Sequence, residues 1–472
     1  MPRLPSISSS LALAVLAALA GCTAVGPDYA GPPAAPVGAA FTRAQPSNDG
    51  APLARWWTSL GDRTLDGLVE RTLAANPDIA SAQARLRRAR AALSLEQSNR
   101  RPTASASALT ARARIPPIDL AGQSIESQWI SLHAVSLNAS WEADLFGLHA
   151  RTVEASAATA GAAEANLADA QLSLTAEAAQ AYVRLRDAQT RLRLSREAQQ
   201  RQERMLALTR QRFAAGTASR LDVVRLAGQL DATRAELAPL QADIDGSLDA
   251  LAVLTRQPPG ALDAELSGAA AVPLPPAEVP VGDPASLLRR RPDVRAAERT
   301  LAARTAQVGV AEAAKFPQLK FTGILGLGGT ELSDLGRLGN YSAVLLPQLS
   351  WNFLDFGRNR ARVSQAGADR DEAEAQYRGK VLAALQDAED ALSRYGRQRA
   401  AVADYARAKA SADEAATLMR QRQGAGTVGT IDLLDAERQQ IAAEQNLAAA
   451  VAALTGDFIT LHKALGLGWS EP

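Results

Sequence analysis

The feature that most constrains this 472-residue chain is an internal duplication. The sequence RQRFAAGTASRLD at 210–222 corresponds to RQRQGAGTVGTID at 420–432, a shift of 210 residues, and seven of the thirteen positions are identical. WEADLFG at 141–147 corresponds to WNFLDFG at 351–357 at the same shift. Matches that keep their order in both halves predict one helix-and-strand unit repeated in tandem.

The repeats predict how the chain is divided. NPDI at 76–79 recurs as RPDV at 291–294, a shift of 215 instead of 210, which predicts a longer loop between strands in the first copy. The predicted segments are a signal peptide at 1–21, a lipidated N-terminal tether at 22–61, a first repeat at 62–257, a proline-rich connector at 258–283 and a second repeat at 284–472.

The start of the chain carries a targeting signal. Leu11 to Ala20 is an apolar run of ten residues, too short to span a bilayer as a helix. It ends in Leu19-Ala20-Gly21-Cys22, which resembles the bacterial lipobox, in which the cysteine is acylated and the chain is cut before it. Cys22 is the only cysteine, and the alternative is an ordinary signal peptide. Thr23, by resemblance to lipoprotein sorting rules, permits export to the outer membrane.

Long helices dominate each predicted copy. The copies begin with helical stretches at 62–98 and 284–314, and Leu148 to Ala214 then forms a helix of about 100 Å. A heptad-like pattern predicts coiled-coil packing, which a generic coiled coil would also show. Its positions in the first copy are Leu174, Ala178, Ala181, Leu185, Ala188 and Leu192.

Short segments of alternating polarity lie between the helices. They cover 103–114, 129–141, 318–327 and 341–353, and the alternation in the second changes phase near Ala134–Val135. Their lengths fit tilted membrane strands of about 9–11 residues, although a half-buried soluble sheet has the same alternation. No other apolar run approaches 18 residues, so a membrane would have to be crossed by a closed β-barrel.

Composition excludes several functions. Lys plus Arg is 51 and Asp plus Glu is 50, and this balance argues against a nucleic-acid partner. The three histidines, His133, His149 and His462, have no ligand-like spacing. No nucleophile elbow, phosphate loop or metal-ligand motif is present in the sequence. We therefore expect no catalytic residue, no metal and no cofactor other than covalent lipid on Cys22.

Each long helix is predicted to end at a glycine turn. The turns contain Gly216 and Thr217 in the first copy and Gly426 and Thr427 in the second. Glycine just past a helix is a stop signal. Acidic and basic residues follow each turn, near one face of the next helix. They are Asp222 and Arg225 in the first copy and Asp432, Asp435 and Arg438 in the second. A ring of such acids would narrow a pore, and the alternative is an ordinary solvated helix face.

Four strands per copy of the chain are too few to close a barrel, for which about eight is the minimum. Three copies would supply twelve strands, enough to enclose a lumen lined by the polar face of each strand. The long helices would continue the duct across the periplasm. The alternation and the repeat together therefore predict a trimer.

Several motifs resemble the TolC-like outer-membrane factor family, in particular its lipoprotein branch that serves resistance-nodulation-division (RND) efflux pumps. They are the lipobox, VGPDY at 25–29, RWW at 55–57, LSWNFLDFGRNR at 349–360 and the two AGT turns. The resemblance implies a mainly α-helical fold with a β-barrel part: a helical coiled-coil barrel with four transmembrane strands per protomer and twelve in a homotrimer. It implies partnership with a periplasmic adaptor, an inner-membrane RND transporter and outer-membrane lipid, and export of drugs or other small toxic compounds.

The resemblance also implies residue roles. It assigns the periplasmic aperture to Asp432, Asp435 and Arg438, with the first-copy counterparts given above, and adaptor contact to the two glycine turns. This chain has Gln423 and Val428 where some relatives have a tyrosine and an arginine in the closing network. Two other kinds of protein remain as alternatives: a duct for type I protein secretion, and a periplasmic adaptor or structural lipoprotein without a pore.

Overall fold

A computed structural model describes residues 24–35, 37–43, 54–120, 123–125 and 127–469. The predicted signal peptide and Cys22 lie outside these residues. Within the described ranges, no helix is both long enough and apolar enough to cross a membrane.

Helices make up most of the described chain, and a small antiparallel sheet interrupts them. The helices are α1 (Arg63–Ala75), α2 (Pro77–Asn99), α3 (Leu148–Ala214), α4 (Arg220–Leu254), α5 (Asp263–Leu266), α6 (Pro284–Arg290), α7 (Pro292–Ala313), α8 (Arg358–Gly424) and α9 (Thr430–Ala464). The strands are β1 (Thr103–Ile115), β2 (Ile118–Leu120), β3 (Gln123–Ile125), β4 (Gln128–Ala143), β5 (Gln318–Gly329) and β6 (Tyr341–Ser350).

Each opening helical stretch is two helices rather than the single one predicted. The break falls at Asn76 in the first copy and Arg291 in the second, and both residues have extended backbone. Each precedes a proline, and a residue before proline is disfavoured in the α conformation. Proline at the first position of the following helix loses no hydrogen bond, so the chain restarts a helix there.

The NPDI motif of the first copy and the RPDV motif of the second make equivalent hydrogen bonds. Asn76 Nδ2 donates to the carbonyl of Leu254, the last residue of α4, at 3.1 Å. Arg291 Nη1 donates to the carbonyl of Ala464, the last residue of α9, also at 3.1 Å. The last carbonyls of a helix have no partner within the helix, so each motif satisfies one of them.

The long helices have the predicted extent. α3 covers Leu148–Ala214, and α8, its counterpart in the second copy, also has 67 residues. All six heptad positions of α3 are buried, which confirms the predicted helix seam. Alanines at these positions allow helices to pack closely.

The main sheet has strand order β1-β4-β5-β6, and every neighbouring pair is antiparallel. β1 pairs with β4 without interruption from Thr103↔Ser140 to Ile115↔Gln128. The phase change near Ala134 is therefore a change of side-chain chemistry and not of register. β5 pairs with β6 over ten residues and β1 with β4 over thirteen. The extra length of the first copy thus extends the paired strands, and the prediction of a longer loop was wrong.

The chain forms two compact units. The strand unit contains the described residues up to Pro33 with Leu86–Ala163 and Ala297–Tyr377. The helical unit contains the described parts of Ala34–Arg85, Glu164–Ala296 and Arg378–Pro472. Each unit combines segments of both repeats, because equivalent strands and equivalent helices pack together. The predicted domain limits along the chain stay a prediction.

Candidate channel-forming sheet and helix-tip site

One face of the main sheet is apolar over the part that runs from Val135 to Trp141 on β4. Leu137 and Trp141 on β4 stand opposite Leu325 and Phe321 on β5, and the indole and phenyl rings are stacked with centroids 5.8 Å apart. Opposite residues of an antiparallel pair share a face. Leu137 is 59% exposed in the single chain. A row of large apolar side chains left open on a sheet face marks a surface that another molecule or a membrane covers.

The other face carries hydroxyl and amide side chains. Ser136 Oγ and Ser107 Oγ lie 2.8 Å apart across β4 and β1, and Asn138 Nδ2 donates to Ser107 Oγ at 3.0 Å. Further along the same face, Glu142 stands opposite Lys320. This face suits contact with water. The predicted division of the strands into an apolar and a polar face is therefore present.

Tryptophans lie at both ends of this face of the sheet, which the sequence analysis did not predict. Trp141 Nε1 donates to Arg100 O at 3.1 Å, and its counterpart Trp351 donates to Lys315 O at 2.9 Å. Near the opposite end of β4, the ring centroid of Trp129 lies 5.2 Å from the guanidinium carbon of Arg112. Tryptophan is enriched where an apolar surface meets water, since its ring is apolar and its N–H polar.

The two edges of this sheet are β1 and β6. All residues of β6 are exposed in the single chain, including Tyr341, Leu345 and Leu349. An edge strand offers unpaired backbone N–H and C=O groups to another strand. The sheet is thus open to extension at both sides.

The two glycine turns have the same geometry. Gly216 and Gly426 have φ of +75° and +70°, in the left-handed region that favours glycine. The Thr217 amide donates to Arg212 O at 2.8 Å, and the Thr427 amide donates to Arg422 O at 3.0 Å. Each is the long bond of a Schellman motif, which ends a helix. The predicted helix-ending role of both glycines is present in the structure.

The helix that follows the first turn begins with a capping box. The Asp222 amide donates to Ser219 Oγ at 3.2 Å, and Asp222 Oδ2 accepts from the Ser219 amide at 3.0 Å and the Ser219 hydroxyl at 2.8 Å. These hydrogen bonds, with a smaller contribution from the charge of Arg225, lower the pKa of Asp222 below its ordinary value. Asp222 is therefore an ionised acid whose observed contacts are those of a helix cap.

The second copy retains only half of this cap. Asp432 Oδ2 accepts from the Gly429 amide at 3.1 Å, and glycine has no side chain to complete the box. Asp435 Oδ1 lies 3.6 Å from Arg438 Nε, and both side chains are more than half exposed. Asp432 and Asp435 line one shallow groove together with Arg422. The structure thus brings these predicted residues together on one surface near the second turn.

Side chains that the sequence analysis did not predict connect the two hairpins. Leu206 of α3 and Leu226 and Leu230 of α4 form a buried cluster with Leu434 of α9. Arg212 Nη1, near the end of α3, donates to Thr430 Oγ1 at the start of α9, at 2.9 Å. These residues tie the two helix tips to each other. Their proximity could not be predicted from the sequence, because they are far apart along the chain and only the fold brings them together.

The remaining predictions concern the lipidated cysteine, metal binding and the histidines. Cys22 lies outside the described residues. In the described ranges, no group of three or more His, Cys, Asp or Glu side chains has the geometry to hold a metal ion. His133 lies on β4 near Thr110, and His462 is buried in the helical unit.

Comparison with known proteins agrees with the fold. The family model for outer membrane efflux proteins matches residues 68–255 and 284–467. Nodulation protein T of Rhizobium leguminosarum bv. trifolii is 32% identical over 455 residues, which are 96% of each chain. Outer membrane protein OprJ of Pseudomonas aeruginosa is 32% identical over 485 residues, 99% of this chain and 97% of OprJ.

A solved structure gives the same result. The outer-membrane channel OprN is 36% identical, has a TM-score of 0.87, and aligns with 94% of this chain and 99% of its own. The fold is therefore that of an outer-membrane efflux channel: long helices with a four-stranded sheet. The chain belongs to the outer membrane efflux protein family, and its place is the outer membrane of a Gram-negative bacterium.

Proposed function

We propose that this chain acts as a homotrimer, as the lipid-anchored exit duct of a tripartite efflux pump. The observation that carries the proposal is the main sheet, with one apolar face, one polar face and two open edges. If β1 of one copy pairs with β6 of the next, three copies give a closed sheet of twelve strands. Two copies would give a sheet of eight strands, and side chains fill the interior of a barrel of that size.

The partners that we propose are a periplasmic adaptor and an inner-membrane RND transporter. The glycine turns are the proposed adaptor contacts, at Gly216, Thr217, Gly426 and Thr427. A Cβ on Gly216 or Gly426 would meet nothing within 4 Å, so each turn presents open backbone to a partner. The exported compounds are drugs or other small toxic molecules. The duct itself is passive, with no catalytic residue and no cofactor besides the lipid proposed on Cys22.

The proposed aperture is the surface formed by Asp432, Asp435 and Arg438, with Asp222 and Arg225 at the equivalent place in the first copy. Three copies would repeat these charges around one axis. A ring of carboxylates attracts cations and narrows a pore. The second copy would contribute more of the negative charge, since it has Asp435 where the first copy has Arg225.

A planar-bilayer experiment tests the duct. The full chain is extracted in detergent, its mass is measured by light scattering, and it is added to a planar bilayer. We expect a mass of three chains and discrete conductance steps. A monomer that gives no conductance would contradict the proposal.

A second experiment separates drug efflux from protein secretion. The chain is expressed in cells that lack their own efflux channel but retain an adaptor and an RND transporter. We expect the minimum inhibitory concentrations of several drugs to rise. Unchanged drug susceptibility, together with restored export of a type I secretion substrate, would favour the secretion duct.

A further inference from the structure

The two strand hairpins of the chain have the same register. In the first copy, Thr103 of β1 stands opposite Ser140 of β4. Their counterparts in the second copy, shifted by 215 and 210 residues, are Gln318 of β5 and Ser350 of β6, which also stand opposite each other. The two sequence shifts therefore relate the hairpins residue by residue in the folded chain.

A third strand pairing joins the first copy to the second. Trp141 of β4 stands opposite Phe321 of β5. The equivalent pairing, from β6 of the second copy to β1 of a first copy, is absent from the single chain, because β6 and β1 are the two edges of the sheet. Applied to Trp141 and Phe321, the two shifts place Trp351 opposite Ala106 of the partner subunit.

The strand β6 is shorter at this end than its counterpart β4. β4 continues through the residues 141–143, which pair with β5 alone, beyond its last pair with β1. The counterparts 351–353 follow β6 and belong to no strand within the part of the chain that the structure describes. Trp351 and Phe353 are 55% and 76% exposed. The segment 351–353 thus lacks the neighbouring strand that orders 141–143.

A phenylalanine beyond the same segment is also uncovered. In the first copy, Phe146 stacks on Phe316 with ring centroids 4.6 Å apart. Its counterpart Phe356 is 87% exposed and has a φ of +51°, in the left-handed region that residues other than glycine rarely adopt. The shift of 215 residues gives Arg101 as the counterpart of Phe316, and Arg101 is exposed just before β1. A guanidinium can pack on the face of a phenyl ring.

We propose that 351–353 become a strand only when two copies assemble, by extending β6 along β1 of the partner subunit in the register that the repeat defines. Ser350 then stands opposite Ser107 of the partner subunit, and the Phe356 ring packs on Arg101 of the partner subunit. The proposal rests on the homotrimer of the proposed function, and it adds the register of the contact and the segment that assembly orders.

The side chains agree with this register. Ser107, which pairs with Ser136 on the polar face of the sheet, comes opposite Ser350. The next pair joins Leu349 to Ala108, which pairs with Val135 on the apolar face. A slip of one residue would place each of these side chains opposite a residue of the other face.

A cysteine scan tests the register in the full-length protein. Ser350→Cys is combined in turn with one of five substitutions on β1: Ser105→Cys, Ala106→Cys, Ser107→Cys, Ala108→Cys or Leu109→Cys. Membranes are oxidised and the chains are separated without reductant. Three strand spacings, about 14 Å, separate β1 from β6 within one chain. A disulfide spans at most about 7 Å between Cα atoms, so every such bond joins two chains.

We expect the most crosslinking with Ser107→Cys, at least five-fold more than with Ser105→Cys or Leu109→Cys, and products of up to three chains. Ser350→Cys alone controls for bonds through Cys22. A maximum at another position, or no crosslink at any of the five, would overturn the register. Light scattering before oxidation separates the two proposals: a trimer with its maximum elsewhere refutes the register alone, whereas a monomer refutes both.

Hydrogen exchange tests whether assembly orders the segment. In the trimer in detergent, we expect a peptide that covers 351–353 to exchange at least ten-fold more slowly than an unstructured chain, as the peptide that covers 141–143 should. Exchange of 351–353 at the rate of an unstructured chain would contradict the proposed strand.

A double-mutant cycle tests the contact of Phe356 with Arg101. We expect Phe356→Ala and Arg101→Ala each to shorten the lifetime of the heated trimer in detergent two- to five-fold, and the double variant to shorten it little further. Arg100→Ala is the matched control, because Arg100 contributes its backbone carbonyl to Trp141 and keeps it in the variant. Fully additive effects of the two substitutions would overturn this contact.

Discussion

His462 is a buried titratable residue of the helical unit, packed against aromatic rings. Its ring centroid lies 4.1 Å from that of Phe458 and 5.3 Å from that of Trp56. Nδ1 lies 2.9 Å from Phe458 O, and because a carbonyl only accepts, Nδ1 carries the proton of the neutral ring. Burial lowers the pKa of His462 to about 4 against the opposing effect of this hydrogen bond. His462 is thus a neutral core residue at neutral pH.

The lowered pKa predicts a pH-dependent stability. As pH falls below about 6.5, the unfolded chain takes up a proton that the folded chain resists until about pH 4. His462 should therefore cost stability progressively over this interval, up to roughly 3 kcal/mol. We expect His462→Gln to show a smaller fall in melting temperature between pH 7 and pH 4.5 than the wild type. His133→Gln is the control, and a fall as large in His462→Gln as in wild type would contradict the prediction.

The Asp435–Arg438 pair allows the proposed aperture to be tested without disturbing the fold. Both side chains are more than half exposed, and an exposed pair contributes only a few tenths to about 1 kcal/mol. We expect Asp435→Ala with Arg438→Ala to raise single-channel conductance in planar bilayers at unchanged melting temperature. Arg193→Ala with Glu197→Ala removes another exposed pair and should leave conductance unchanged. The same conductance in both double variants would count against an aperture at Asp435.

At the scale of elements, the two copies differ most clearly in how the helix after each turn begins. α4 starts with the complete Ser219–Asp222 box, whereas the N-cap of α9 is Gly429, which makes only a backbone hydrogen bond to Asp432. A side-chain cap satisfies one of the free N–H groups of the first turn. The start of α9, next to the proposed aperture, is therefore less firmly held than the start of α4.

This difference predicts a stabilising substitution. Gly429 has φ −75° and ψ 160°, which any residue adopts, and a Cβ there would meet only the movable carboxylate of Asp432, at 3.3 Å. We expect Gly429→Ser to stabilise the start of α9 by about 0.5–1 kcal/mol, by adding a cap and restricting the unfolded chain. Hydrogen exchange of the first turn of α9 should slow two- to five-fold. Ser219→Gly should have the opposite effect on α4, and faster exchange in Gly429→Ser would refute the argument.

At the scale of the whole molecule, the sheet is the feature that a single chain leaves incomplete. Its apolar face is exposed, and its edge strands β1 and β6 each have a neighbouring strand on one side only. Both deficits are met if copies of the chain extend the sheet and a membrane covers the apolar face. The alternation of apolar and polar side chains along the strands is thus explained by what surrounds the sheet and not by packing within the single chain.

Two neighbouring residues of β4 test which face meets the membrane. Leu137 lies on the apolar face and Ser136 on the polar face. An arginine facing lipid near the middle of the membrane costs about 2–4 kcal/mol. We expect Leu137→Arg to reduce insertion into lipid vesicles strongly, and Ser136→Arg to insert normally with altered ion selectivity. Equal insertion of the two variants would contradict the assigned faces.

The sequence by itself determined the repeat, the long helices, the heptad seam and the four strands of the main sheet. These depend on local rules: proline and glycine interrupt helices, and side-chain period distinguishes helix from strand. Residues such as Leu174 and Ala178 are buried as the period requires. The glycine turns were also predictable, because a left-handed backbone position favours one residue type.

Only the tertiary structure decided which distant residues meet. No pattern in the sequence links Arg151 to Asp28, Arg212 to Thr430, or Leu434 to Leu206, since each pair is brought together by packing of segments far apart in the chain. The extra length of the first copy was likewise assigned to a loop, because strand ends carry weak local signals. Local periodicity defines elements, whereas contact between elements depends on how their buried faces fit, and that fit is a property of the folded chain.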